Sequence, residues 1–146
     1  MKYIITIIVS IFLFGCRDHQ VDELGLAATA GDIDKVKQLV EAGANVNGYV
    51  GYEGRETPLD RAAMRGHLEI VKYLVEHNAT INEKEKPGNV VYLAASLGKF
   101  DIVDYLLSKG GRLICDKPSL DLLRQKMQKV GEGELVAEME KTWLEL

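Results

Sequence analysis

Thr57-Pro-Leu-Asp-Arg-Ala-Ala-Met-Arg-Gly-His-Leu-Glu-Ile-Val-Lys-Tyr-Leu74 is the stretch from which the fold follows. Its order is a pair of alanines, a glycine shortly after, then an apolar stripe, and the same order occurs on both sides of it. Ala27-Ala28 leads to Gly31, Ala62-Ala63 to Gly66 and Ala94-Ala95 to Gly98. Gly31 and Gly66 lie 35 residues apart, Gly66 and Gly98 lie 32. A period in that range marks a stacked repeat array, in which each unit needs its neighbour to cover its apolar face. Such an array presents a surface and encloses no reaction chamber.

The register extends beyond the glycines. Two residues after them stand Ile33, Leu68 and Phe100, and five after them Val36, Val71 and Val103. Eight and nine residues after them come Leu39-Val40, Leu74-Val75 and Leu106-Leu107. These offsets trace one face of a helix. Another helix precedes each glycine, with a buried face of Leu24, Ala27, Ala28, then Leu59, Ala62, Ala63, then Val91, Ala94, Ala95. Paired alanines let helices approach closely, and a larger residue there costs about 1–3 kcal/mol through overpacking. Asp22, Thr57 and Asn89 read as N-caps of the first helices, with Pro58 at the first helical position. Val21 and Leu26 read as a hydrophobic staple around the first cap. Gly43, Asn78 and Gly110 close the second helices with residue types that accept a left-handed backbone.

The quoted stretch, followed by Asn78-Ala-Thr-Ile-Asn82, resembles an ankyrin repeat almost position for position. Leu26-Ala-Ala-Thr-Ala-Gly-Asp-Ile33 with Gly43-Ala-Asn-Val-Asn47, and Leu93-Ala-Ala-Ser-Leu-Gly-Lys-Phe100, carry the same resemblance in the units on either side. It implies an all-α ankyrin-repeat solenoid of helix-turn-helix units with projecting β-hairpin loops, whose concave face binds other proteins. The chain departs from the family pattern where a His is usual after Thr-Pro-Leu. Gly25, Asp60 and Tyr92 stand there. The third unit also has Asn89-Val90 for Thr-Pro, and its tail, Gly110-Gly-Arg-Leu-Ile114, lacks the closing Asn.

Past residue 115 the pattern weakens. Leu120, Leu123, Met127 and Val130, then Gly131 and Gly133, then Leu135, Val136, Met139 and Trp143 spell two amphipathic helices. They read as a degenerate fourth unit capping the array, with Glu132, Glu134, Glu138, Glu140, Lys141 and Glu145 as its polar outer face. Trp143 has two readings, packing of the cap or an anchor for a partner.

The N-terminus has another character. Lys2 precedes an almost wholly apolar run from Tyr3 to Phe14, and Leu13-Phe14-Gly15-Cys16 follows. A helix of about twelve residues spans about 18 Å, short of a ~30 Å hydrocarbon core, so the run reads as a targeting segment. Its end resembles the lipobox of bacterial lipoproteins, which implies cleavage before Cys16 and lipidation of that residue, although Phe14 is bulkier than usual there. The expected organisation is a signal peptide over 1–15, an anchor linker over 16–21, ankyrin repeats over 22–115 and capping helices over 116–146. The expected location is a bacterial cell envelope, on the periplasmic side of a membrane or at the cell surface.

The 146-residue chain carries 18 basic and 22 acidic residues, a formal net charge of −4. That balance suggests no nucleic-acid groove and no basic membrane patch. With Cys16 acylated, Cys115 has no disulfide partner and reads as buried or inert. His19, His67 and His77 are too far apart to bind a metal jointly, and no HExxH, CxxC or GxSxG sequence occurs. Gly48, Gly51 and Gly54 are not followed by the Lys-Ser/Thr of a phosphate loop. No enzymatic activity and no cofactor are expected.

Partner contact is expected first in the long joining segment, at Tyr49, Tyr52 and Arg55, since Tyr and Arg are enriched at interface hot spots. The alternative is that the two tyrosines only cover apolar surface. On the first helices Asp60, Arg61, Met64, Arg65, Tyr92, Ser96 and Leu97 fall on or beside the expected concave face, and Arg61 reads equally as an ion-pair partner of Asp60 or Glu56. The function expected is a membrane-tethered, monomeric module that binds a protein partner, as an inhibitor or immunity-type protein. The alternative is an accessory or enzymatic role in envelope or redox metabolism through Cys115 or a carboxylate cluster.

Overall fold

A computed structural model describes residues 19–51, 55–83 and 89–143. The signal segment and Cys16 lie outside them, as do Tyr52 and Glu145. Among the described residues eight helices form four pairs. The first pair is α1, described over residues 19–30, and α2 (Ile33–Glu41). The others are α3 (Pro58–Arg65) with α4 (Leu68–Glu76), α5 (Val90–Ser96) with α6 (Phe100–Ser108), and α7 (Lys117–Val130) with α8 (Gly133–Thr142). Within pairs α3 packs on α4 and α5 on α6, while between pairs α3, α5 and α7 form one layer and α2, α4 and α6 another.

One apolar core runs through all four units, from Leu24 to Met139. All three alanine pairs lie in it, none more than 6 % exposed. Val36, Val71 and Val103, the same register position in three units, are each 0 % exposed. Burying each such side chain contributes about 1.5–3 kcal/mol, and no unit could do so alone.

Local chemistry sets the helix ends. In α3 the Thr57 hydroxyl accepts from the Asp60 N–H at 3.3 Å, while Asp60 Oδ2 accepts from the Thr57 N–H at 2.7 Å, a reciprocal capping box. Asp60 thus replaces the donor that the family's His would supply with an acceptor, and Thr57 Oγ1 donates to it at 2.8 Å. Asn89 caps α5 through its Oδ1 and the Tyr92 N–H, and Asp116 caps α7 through Oδ1 and the Ser119 N–H. Gly66 ends α3 at φ +85°, and Asn78 takes φ +67° after α4, the left-handed conformation expected of each closing residue.

The first unit departs from expectation. Helix α1 is already helical at His19, inside the expected linker, so Asp22 lies within it and is no cap. Leu26 is 65 % exposed and forms no staple with the buried Val21. The joining segment gives Asp22 its role. It folds back on α1, where Asp22 Oδ1 accepts from the Gly51 N–H at 2.7 Å and Val50 fills the space that a side chain at position 25 would occupy. A Cβ on Gly25 would lie 2.5 Å from the Val50 methyls, which is why glycine stands where other units carry Asp60 or Tyr92. The segment is closed by a bond from the Val50 N–H to the Glu56 carbonyl at 2.8 Å, and the described residues of the loops form no extended strand.

Side-chain amides join each loop to the next. Asn47 accepts from the Thr80 N–H and donates to the Asn78 carbonyl, and Asn82 repeats the pattern with the Arg112 N–H and the Gly110 carbonyl. Within the third unit the fully buried Asn89 donates to the Arg112 carbonyl at 2.6 Å and accepts from the Ile114 N–H at 3.4 Å, while the joint to the last unit, made without a closing Asn, runs through the Thr142 hydroxyl, which accepts from the Leu113 N–H at 3.3 Å. Trp143 packs against the core and donates its indole N–H to the Cys115 carbonyl at 3.1 Å.

Both ends of the stack carry charge at positions that are apolar inside it. Eight residues before the turn glycine, Pro58, Val90 and Leu123 are buried, but the first unit has Glu23. Four residues after it, Ile70, Ile102 and Leu135 are buried, but the first unit has Lys35, whose Nζ lies 3.9 Å from Glu23. At the other end, the position of the buried Leu24, Leu59 and Val91 is Arg124, and that of Val40, Val75 and Leu107 is Glu140. These two pair at 2.7 Å. Arg124 also donates to Asp121 at 2.8 Å. The Glu140 hydrogen bond raises the Arg124 pKa further above its ordinary value.

Candidate functional site

The exposed side of the first-helix layer and the adjoining loops hold most of the residues expected to meet a partner. Arg65 is exposed and Met64 half-buried on α3, and Tyr92 is partly buried against the core on α5. Arg61 lies beside them with its Nε 2.6 Å from Glu56, so of its two expected ion partners it takes Glu56. Asp60 does not belong to this face. It is 1 % exposed because its carboxylate is consumed by the capping box, and a partner cannot reach it.

In the loops, Tyr49 is 44 % exposed and its hydroxyl donates to Glu83 of the next loop. The apolar cover of α1 comes from Val50, so Tyr49 is left at the surface. Arg55 is exposed, whereas Tyr52 lies outside the described residues. The loops therefore bring Tyr49 and Glu83 together, and the helices bring Arg61, Met64 and Arg65 together.

The sequence reading missed several members of this face. Leu26 was expected in a staple and Val130 on a buried stripe, yet they are 65 % and 62 % exposed, while Leu97, expected on or beside this face, is 49 % exposed. Lys126 and Lys129 on α7 are exposed as well. The signal that could have found them is the register itself. Counted back from Gly131, Val130 occupies the position of Arg65 and Leu97, and Lys126 that of Leu26 and Arg61.

Little here suits chemistry on a small molecule. A cleft of about 210 Å³ lies among Gly31, Ile33, His67, Leu68, Glu69 and Ile70, below the ~300–1,000 Å³ of a typical ligand pocket. Its histidine links units, with His67 Nε2 3.2 Å from the Thr29 carbonyl. Cys115 is 2 % exposed, and burial pushes its thiol pKa up, which disfavours the nucleophilic thiolate. Among the described residues no group of three or more His, Cys, Asp or Glu is placed to hold a metal ion, and no helix is long and apolar enough to cross a membrane.

A family model for ankyrin repeats, three copies, matches residues 24–117. Similar proteins include the probable E3 ubiquitin-protein ligase XBOS32 of Oryza sativa subsp. japonica, 33 % identical over 95 residues, 64 % of this chain and 19 % of that protein. Diacylglycerol kinase zeta of Rattus norvegicus is 31 % identical over 124 residues, 83 % of this chain and 13 % of the relative. The 2-5A-dependent ribonuclease of Homo sapiens is 40 % identical over 66 residues, 45 % and 9 % of the two chains. The chain thus spans less than a fifth of each relative's length. This chain belongs to the ankyrin repeat family, whose repeats generally serve as protein-interaction modules and not as enzymes.

Proposed function

We propose that this ankyrin-repeat chain is a membrane-tethered protein-binding module of a bacterial envelope, holding one partner through the first-helix face and the loops around Tyr49. The observation that carries the binding part is hydrocarbon left in water beside cations on that face, with Leu26, Leu97 and Val130 each about half exposed or more. Beside them stand Arg61, Met64 and Arg65, and Met and Arg are residue types enriched in interfaces. The tether rests on the sequence alone, namely Lys2, the apolar run to Phe14 and Cys16. An anchored binding module suits a protective role, neutralising a partner protein at the membrane as an immunity-type protein does.

Two experiments test this reading. Metabolic palmitate labelling of wild type against Cys16→Ser tests the tether, and equal labelling of the two rejects it. Photo-crosslinking from position 65 or 49 in cells is expected to yield a discrete adduct. Undiminished partner recovery with the Tyr49→Ala/Tyr52→Ala/Arg65→Ala variant rejects this face.

A further inference from the structure

The first helices carry a charge pattern opposite to that of the whole chain. Counted back from the glycine after each first helix, three register positions face outward in all four units. One residue before it stand Ala30, Arg65, Leu97 and Val130, all exposed. Two before it stand Thr29, Met64, Ser96 and Lys129, and five before it Leu26, Arg61, Leu93 and Lys126, each exposed or half-exposed. None of these twelve is acidic, in a chain with 22 acidic residues and a net charge of −4. The two hydroxyls are used internally, Thr29 donating to the Gly25 carbonyl and Ser96 to the Leu93 carbonyl.

One row of the second helices is acidic throughout. Three residues after the glycine stand Asp34, Glu69, Asp101 and Glu134, all exposed. Helix dipoles account for that acidic row at the helix starts, and for Arg65 and Lys129 in the last turns of α3 and α7. They do not account for Lys126, a turn earlier, nor for the exposed leucines and valine between the cations. Arg61 is paired with Glu56, whereas Arg65, Lys126 and Lys129 make no ion pair among the described residues.

We propose that this face docks an acidic amphipathic helix of the partner protein, its apolar side seated on Leu26, Leu97 and Val130 and its carboxylates on Arg65, Lys126 and Lys129. Complementary charge sets orientation and encounter rate, while the apolar contacts hold the complex. Three interhelical steps of about 8–10 Å make the face roughly 25–30 Å long. At 1.5 Å per residue that is the length of about 17–20 residues of helix. This inference rests on the protein-binding reading above and adds the partner's chemistry.

The test is fluorescence anisotropy of the chain lacking residues 1–15 with three probes: a Leu/Glu amphipathic helical peptide of about 20 residues, a Leu/Lys peptide of equal length, and phosphatidylglycerol vesicles. The acidic peptide is expected to bind saturably and to weaken roughly tenfold between low and high salt. Arg65→Glu/Lys129→Glu is expected to weaken it at least about tenfold and to admit the Leu/Lys peptide. Because the reversal could disturb helix ends, Arg65→Gln/Lys129→Gln serves as second variant, with an intermediate loss expected and unfolding midpoints measured alongside. Equal binding of both peptides, binding of neither, or preference for the vesicles overturns the proposal. So does self-association abolished by the reversal, which would make the acidic rows of a second copy the occupant. A crosslinked partner that survives the double reversal leaves the binding module standing and removes this inference alone.

Discussion

The second and third units show hydrocarbon to both neighbours, whereas the first and fourth show it on one side and an ion pair on the other. The difference amounts to two residues at each end. Glu23 and Lys35 stand where the other units bury Pro58, Val90 or Leu123 and Ile70, Ile102 or Leu135. Arg124 and Glu140 stand where they bury Leu24, Leu59 or Val91 and half-bury Val40, Val75 or Leu107. An apolar pair facing water would attract another stack, and an ion pair at the surface contributes little stability but removes that attraction. The array ends where apolar register positions become charged, although the helices themselves are hardly changed.

Moving an end residue into the middle should break this contrast most severely. Leu59→Arg places an unpaired charge at a site 1 % exposed, and a loss of about 3–5 kcal/mol is expected in urea unfolding. A loss below about 1 kcal/mol would mean that the interior does not distinguish the two chemistries. Next comes the joint inside the third unit, between the start of α5 and the segment after α6. Asn89→Ala leaves the buried Ile114 N–H and the Arg112 carbonyl without their partner and removes the α5 cap, so about 1–3 kcal/mol is expected, against about 1 kcal/mol for the half-buried Asn82→Ala. Equal losses from the two would show that burial does not set the difference.

Converting the end to an interior surface sharpens the comparison. Arg124→Leu with Glu140→Val should leave unfolding within about 1 kcal/mol of wild type. The same pair of changes should raise self-association in sedimentation, and an unaltered sedimentation profile would refute the sealing role. The smallest effect expected is on pH. Hydrogen bonds from Ser119 hold the Asp116 carboxyl below its ordinary range, and Lys117 does the same for Asp121, with Arg124 adding to it. Carboxyls depressed in the folded state contribute stability that is present above their unfolded pKa and lost as pH falls through the folded one. Amide exchange in α7 should therefore quicken on acidification below the ordinary carboxylate range before it quickens in α4, and simultaneous quickening would count against it.

Much of this was legible in the letters. The helix pairs, the Thr57 and Asn89 caps and the left-handed Gly43, Asn78 and Gly110 all depend on residues within a few positions of one another. Of the face proposed for binding, Arg61, Met64, Arg65 and Tyr92 were named from the sequence. Asp60 was misplaced because its carboxylate turns back on its own helix, and Leu26 and Val130 because an apolar residue looks the same in sequence whether or not something covers it.

By itself, then, the sequence determined the period, the helices and the side of each that turns inward, since a helix face is a matter of local spacing. Only the tertiary structure decided that Val50 replaces a side chain at Gly25, that Asn89 ties the start of α5 to the segment after α6, and that Arg124 meets Glu140. Those outcomes depend on which units are neighbours. Exposure at a register position is set by whether another unit lies against it, and no local pattern carries that information.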